Sequence, residues 1–462
     1  LVTDYIVVGG GTAGSVVAAR LSEIRQWNVL LLEQGGVDTP AACRTPAHWR
    51  QLQGGPSDYG YTTEPEPYLN GRRLPYPRGK GLGGSTRLYA GIYSRGDRFD
   101  YDAWRELGNA GWGWDYVADY FEKSMREGLP VEPLRQLAPI TRRFLGAAEG
   151  ARPVEVIQKQ GRKLTAADVF LAPAQKKNPN LTVLGSAQVV RVIFEQDRAR
   201  GVEILRDGRR EVLRAQREVI LCAGAIHTPL ILLRSGVGPA AHLQAMGIAV
   251  HLNLPGVGEN LQEHVRFGQE FSTNDSNEPA GLLAGLKYRF TGQGPLSSPG
   301  VEAHLVFRSH ELAPAPNLEL LFATGRKQGP GFTIWAVLLR PFSRGYLRLK
   351  SAHPDDGPIL HLNVLEEPED RSTLTLGHKE ALRWGNQLGQ ATGEPRHGVM
   401  WHACGTCRMG ADRMAVVDTD LKVHGLRGLR IVDASIMPLI PSGNTAAPTL
   451  MVAERGADLI RC

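Results

Sequence analysis

Long apolar runs are missing from this chain. None of its 462 residues belongs to a stretch of the ~18 consecutive apolar residues that a membrane-spanning helix needs. Cysteine is scarce and odd in number: Cys43, Cys222, Cys404, Cys407 and Cys462. That count excludes the dense disulfide framework of a small secreted domain. No second Cys pair or His pair stands ready to complete a tetrahedral zinc site, so no metal is expected. Basic residues outnumber acidic ones only 53 to 47, and no block of five or six consecutive basic residues occurs. Nucleic acid is therefore not indicated as a partner. No secretory leader precedes the first apolar segment, so a cytoplasmic location is expected.

What is present suits a large globular protein. Hydrophobic residues make up 42%, enough for a sizeable core. Gly (54) and Pro (30) are frequent, as in a loop-rich αβ protein. At roughly 150 residues per domain, the length allows two or three domains. The spacing predicts a β-α-β unit at the N-terminus: a strand over 4–8, a helix over 15–23 and a strand over 28–33. Residues 40–77 read as an extended excursion. Alternating patterns predict strands within 181–194, 199–205 and 217–225, and again within 300–350. The end returns to a strand, "LRIVDAS", and a helix from Thr445 onward.

"VVGGGTAGSVVAARLSE" contains G-x-G-x-x-G at Gly9, Gly11 and Gly14. Alone the pattern is weak. Here it follows a strand, opens a helix, and precedes a second strand ending in Glu33, 19 residues after Gly14. That context is the dinucleotide fingerprint. Gly9 permits the tight turn, Gly11 lets the backbone approach a pyrophosphate at the helix N-terminus, and Gly14 allows close helix–strand packing. Thr12 and Ala13 lie inside the turn and count as cofactor contacts. Glu33 can accept from ribose hydroxyls, and its charge disfavours a 2′-phosphate. The second glycine block, "GKGLGGS" with Gly83, Gly84 and Ser85, favours FAD, whose ring needs close backbone contact. Asp433 in "LRIVDAS" is placed at a strand end beside the ribityl-pyrophosphate.

One stretch raises a question of its own. "WHACGTCRMG" (401–410) holds C-x-x-C, which reads as half a zinc site, a redox dithiol, or neither. The set "VVGGGTAGSVVAARLS", "RGKGLGGSTRLYAGIYSRG", "GAIHTPLILLRSGVGP", "PGVGENLQEH", "WHACGTCRMG" and "RIVDASIMPLIPSGNTAAPTLMVAERGADLI" resembles the glucose–methanol–choline (GMC) family of flavin oxidoreductases. The motifs occur in family order from residue 5 to 460. The resemblance implies an α/β fold: a Rossmann-like FAD-binding domain interleaved with an α+β substrate domain built on an antiparallel sheet. It assigns 1–39, 78–96, 181–265 and 405–462 to the FAD domain, and 40–77, 97–180 and 266–404 to the substrate domain or cap.

The resemblance also implies chemistry. An alcohol would lose hydride from its carbon to flavin N5, with oxygen or a quinone- or dye-like molecule as the final electron acceptor. His402 would be the base and Asn444 the hydrogen-bond donor to the developing alkoxide. Leu88, Tyr89, Ala90, Val189, Ala223, Gly224, Ala434, Asn444 and Thr445 would line the cofactor. Trp335, Met400 and Trp401 would line the substrate pocket. The two cysteines then become small, soft residues in a tight loop. Leu88 stands where relatives with a histidyl-linked flavin carry His, so FAD is expected to bind without a covalent link. The chain is short for the family, and 126–131 and 385–400 look trimmed. Two other activities share the fold: a hydroxynitrile lyase, and a fatty-acid photodecarboxylase, with which Arg340 agrees but Leu339 and His402 do not.

Overall fold

The computed structural model describes residues 3–275, 282–327 and 329–462. Its first layer is a five-stranded parallel sheet. The strand order is Leu181–Leu184, Val29–Leu32, Tyr5–Val8, Glu218–Leu221, Leu429–Ile431. The strands Tyr5–Val8 and Val29–Leu32 are buried at every residue. Continuous apolar runs of this kind suit a sheet covered on both faces. The N-terminal helix runs from Thr12 to Ser22, three residues earlier than the spacing predicts. Gly14 therefore lies inside its first turn, where a Cβ would meet the Gly9 carbonyl at 1.8 Å. Only glycine fits there.

The run expected as one strand over 181–194 is divided. Leu181–Leu184 joins the parallel sheet, and Gln188–Glu195 begins a separate three-stranded antiparallel sheet. Ser186 at φ +53° turns the chain between them. Glu33 and Gly35 offer carbonyls to Ala187 and Ser186 there, which fixes the departure at a place set by tertiary contact. The excursion 40–77 is built mainly of 3₁₀ turns and two-residue strands.

The second layer is a six-stranded antiparallel sheet. Its order is Gln390–Val399, Val265–Ser272, Gly331–Leu338, Leu318–Thr324, Val301–Phe307, Arg152–Pro153. Alternation divides its residues between two faces. Leu318, Leu320, Phe322, Phe332, Ile334 and Ala336 are buried, and the helix Pro368–Gly385 packs on this side. Gly377 is needed at that contact, since a Cβ would lie 2.9 Å from Leu318. Val301, Leu321, Ala323, Val337 and Leu339 form a separate cluster with Ile92 and Met400. That cluster faces the chamber described below. The segments that look trimmed are closed by short turns. Gly128 at φ +106° and the Leu129 N–H bond to Ser124 end one helix, and residues 386–389 join Pro368–Gly385 to the next strand.

The last helix, Ala446–Arg461, packs on the first helix and on Trp114–Arg126. The region 97–126, expected with the substrate-side segments, thus lies against the dinucleotide layer. A buried ion pair joins these helices: Arg20 Nη2 and Nε donate to Glu454 at 2.7 and 2.9 Å, with Lys123 Nζ 3.4 Å from the same carboxylate. Glu454→Ala should lower stability by about 3–5 kcal/mol, because it leaves Arg20 buried without its main partner. Denaturant or thermal melting of the holoprotein measures this, and a loss below about 1 kcal/mol would contradict it.

Candidate active site

The two glycine turns of the N-terminal third meet face to face. The Gly83 N–H donates to the Gly10 carbonyl at 2.7 Å, and a Cβ on Gly84 would lie 2.7 Å from Gly11 Cα. Glu33 locks the junction. One of its carboxylate oxygens accepts from the Gly10 N–H at 2.9 Å; the other accepts from Gly35 at 2.8 Å and Gly81 at 2.9 Å. Glu33 still borders the cavity beyond.

That cavity has a volume of about 580 Å³. Gly9, Gly11, Thr12, Ala13, Glu33, Gly84, Ser85, Tyr89, Ala90, Val189, Ala223, Gly224, Asp433, Ala434, Asn444 and Thr445 all line it, as the sequence suggests. Gly83 does not. Its N–H is spent on Gly10, and Thr165 packs against its α-carbon, so it fixes the two turns to each other. Asp433 is occupied with the protein itself: its carboxylate accepts from the Gly224 and Ser435 N–H groups and the Thr228 hydroxyl. Leu88 borders a second cavity of about 100 Å³, together with Trp335, Met400 and Trp401. His402, Asn444, Tyr89 and Trp401 line both cavities.

Three helices begin at the wall of the larger cavity: Thr12–Ser22, Gly224–Arg234 and Ala446–Arg461. No N-cap residue supplies a side-chain cap to any of them, but the Gly224 N–H of the second is already taken by the Asp433 carboxylate, which leaves the first and third open. Uncapped N–H groups and the positive ends of helix dipoles suit an anionic group. Glycine backbone on one side and two such helix ends on the other fit a dinucleotide carrying a flavin.

His402 stands at the crossing between the two sheets. The stretch 400–409 is stitched on one side to Gln262 and His264, and on the other to Ala434, Ser435 and Ile436. Trp401 has φ +62°, a left-handed conformation that costs a bulky residue roughly 1–3 kcal/mol. Two groups hold it there. Arg78 donates to the Trp401 carbonyl, and the buried Glu263 carboxylate accepts the His402 N–H at 2.8 Å. Glu263 also accepts the His264 N–H at 2.9 Å and the Tyr76 hydroxyl. Burial pushes its pKa up to about 7.

The imidazole has a defined hydrogen-bond sense. His264 Nε2 lies 3.1 Å from the Leu339 carbonyl, which only accepts, so Nε2 carries the proton. Burial pushes the His264 pKa down to about 4, which leaves its Nδ1 bare. His402 Nδ1, 2.8 Å away, is then the donor of that contact. His402 Nε2 is consequently an acceptor, and the Asn444 amide nitrogen donates to it at 3.1 Å. Burial, followed by His264 and Arg78, holds the His402 pKa well below its ordinary value. Asn444 was expected to face a substrate oxygen; its amide is directed at the imidazole.

Cys404 and Cys407 are fully buried beside this histidine, and burial raises both thiol pKa values. A dithiol working through a thiolate would need the reverse. Arg340 pairs with Asp100 at 2.6 Å and lines neither cavity. Sequence reading missed Glu263 as the clamp on His402, although "GENLQEH" contains it. It also missed Tyr59, Tyr61 and His227, which line the larger cavity as an aromatic group near Gln34, with Tyr61 2.7 Å from His227. The two tyrosines come from the excursion 40–77, where no periodicity marks them.

Residues 3–155 and 149–266 match the N-terminal region described as GMC oxidoreductase, and 341–453 match the C-terminal region of the same description. The chain is 34% identical to an alcohol dehydrogenase [acceptor] of Pseudomonas putida, covering 99% of this chain and 95% of the relative. It is 35% identical to an oxygen-dependent choline dehydrogenase of Burkholderia cenocepacia, covering 99% and 93%. The alignment with the former spans 530 positions, more than the 462 residues here, so this chain lacks internal segments that the relative has. Among solved structures, pyridoxine 4-oxidase from Mesorbium loti superposes with a TM-score of 0.89 at 29% identity, covering 99% of this chain and 98% of the other. The chain belongs to the GMC oxidoreductases, and it is an FAD-dependent enzyme of that family.

Proposed function

We propose that this enzyme oxidises an alcohol to the aldehyde or ketone, with His402 as the base. The observation that carries this reading is the bare Nε2 of His402 at the junction of the large and small cavities. When bound, FAD supplies the two-electron acceptor for the carbon-bound hydrogen of the alcohol. The glycine turns and the open ends of the helices Thr12–Ser22 and Ala446–Arg461 would hold it, with the negative charge of Glu33 selecting an unphosphorylated ribose. Asn444 lies within reach of the same point and can share its donor between the imidazole and the substrate oxygen. The hydroxyl proton would pass to His402 Nε2. His264 is a positioning residue: it accepts from Nδ1 and so keeps Nε2 free of a proton. Trp335, Met400 and Trp401 would shield the reacting carbon from water. Relatives named for an acceptor, for a quinone and for oxygen support oxygen or a quinone-like molecule as the oxidant.

FAD should be non-covalent, since Leu88 cannot form a histidyl link. Acid precipitation should release yellow flavin into the supernatant; flavin in the washed pellet would contradict this.

His402→Ala should slow anaerobic flavin bleaching by roughly 10²- to 10⁴-fold. Asn444→Ala should slow it too, and less than additively with His402→Ala. Because its pKa is depressed, His402 stays neutral as the pH falls through 6.5. The wild-type rate should therefore hold level there and decline only under more acidic conditions. Stopped-flow with a responsive alcohol in the dark measures all of these. A lyase or a photodecarboxylase would show no dark bleaching.

His264→Leu removes the acceptor for His402 Nδ1 and should cost roughly 10²-fold or more, losing the same control of tautomer that costs ~10⁴ in a serine protease triad. His264→Gln keeps an acceptor oxygen and should recover part of the rate. Ring ¹⁵N shifts of His402 should report a protonated Nδ1 in the wild type and a mixture in His264→Leu. An unchanged tautomer would remove His264 from this role.

A further inference from the structure

The helix Leu282–Thr291 carries large apolar side chains on its outer side. Leu283, Leu286 and Phe290 recur at i, i+3 and i+7, so they share one face within an arc of about 60°. Leu283 is 81% exposed, Leu286 45% and Phe290 80%. Lys287 and Arg289 are exposed as well, and helical spacing places one on each shoulder of that arc. Tyr288 projects from the opposite side. Its hydroxyl lies 3.2 Å from the Gly161 carbonyl and 3.4 Å from that of Arg44, which fixes the inner face to the body of the protein. Gly292, just past the helix, closes against the same hairpin turn, where a Cβ would lie 2.1 Å from the Gln160 carbonyl. The helix is therefore docked by one side, and the other stands out as an apolar ridge between two cations.

The surroundings repeat the sign of charge. The hairpin turn that receives Tyr288 carries exposed Lys159 and Arg162, and exposed Arg135 donates to the Thr291 carbonyl at 3.5 Å. Glu132, 4.0 Å from Arg135, offsets one of these charges. An apolar ridge with cationic shoulders fits a surface that is apolar within and anionic at its face. The apolar side chains enter the acyl boundary, and the cations meet the headgroups. A second copy of the chain fits less well, because a symmetric contact through the ridge would set Lys287 and Arg289 against their own counterparts. Among the described residues no helix is long and apolar enough to cross a membrane, so contact through the ridge is superficial. The ridge also adjoins the substrate side. The turn Pro295–Ser297 packs on Pro46–Leu52, and Trp49 of that segment lines the small chamber while donating from Nε1 to the Pro299 carbonyl at 2.9 Å.

We propose that the ridge of Leu283, Leu286 and Phe290 docks this enzyme on an anionic lipid surface, with Lys287 and Arg289 facing the headgroups. The docked side adjoins the wall of the small chamber. The inference concerns where the enzyme sits and is independent of the reaction it performs.

The test is flotation of the FAD-loaded enzyme with vesicles of phosphatidylcholine alone and of phosphatidylcholine mixed with phosphatidylglycerol. The enzyme should float with the anionic vesicles, bind the neutral ones about tenfold more weakly or less, and be released in part by added salt. Leu283→Ser with Phe290→Ser should weaken binding to the anionic vesicles by roughly 100-fold or more, from the apolar burial lost. Lys287→Gln with Arg289→Gln should weaken it by roughly 25-fold, about fivefold for each cation. These side chains are exposed, so FAD retention and melting should stay at wild-type values in both variants. A nitroxide on Phe290→Cys reports on the ridge itself, in a Cys462→Ser background where the other cysteines are buried. Vesicles should shield it from water-soluble relaxants and open it to oxygen. An enzyme that does not float with anionic vesicles overturns the docking, and so does flotation that survives Leu283→Ser with Phe290→Ser. A dimer that this variant abolishes, in an enzyme that binds no vesicle, would assign the ridge to a second copy instead.

Discussion

Glu263 is the constraint on which the active site depends. One buried carboxylate takes the backbone N–H of His264 from the antiparallel layer and of His402 from the crossing segment. Its other oxygen holds Tyr76, from the end of the 40–77 excursion. Three chain segments far apart in sequence are thereby fixed at one point. The left-handed Trp401 and the directed pair His264–His402 are both consequences of that fixation. A carboxylate buried this deeply is costly unless its lone pairs are occupied, and here backbone and phenol donors occupy them. The cost is offset by the order it imposes on His402.

The cofactor side follows a similar logic with a different carboxylate. Glu33 was read as a partner for ribose, and it also clips the two glycine turns together through three backbone N–H groups. The close approach of Gly11 and Gly84 depends on that clip as much as on the absence of side chains. Backbone bonded in this way gives a rigid wall, and a rigid wall is what allows uncapped helix ends to face a ligand without collapsing onto it.

The two layers divide the labour. The parallel sheet and its helices present backbone donors, while the antiparallel sheet presents side chains. Its chamber face carries apolar residues such as Val301, Leu321 and Trp335 near His402. Short turns at 127–130 and 386–389 close the connections between elements there.

Much of this was legible in the sequence. Glycines in G-x-G-x-x-G act through local geometry, so their spacing together with the flanking strand pattern located the first turn, and its helix to within three residues. The order of the motifs located His402, Asn444 and most of the cofactor wall. The sequence did not reveal which carboxylate clamps His402, how the imidazole tautomer is fixed, or that Asn444 turns toward the ring. It did not separate residues 181–184 from 188–195, nor bring Tyr59 and Tyr61 to the cavity. In each case the deciding partner comes from a distant segment. Local pattern determined which residues could take a turn, a helix or a strand; only tertiary contact decided which donor meets which acceptor, because hydrogen bonds between segments far apart in the chain leave no periodic trace in sequence.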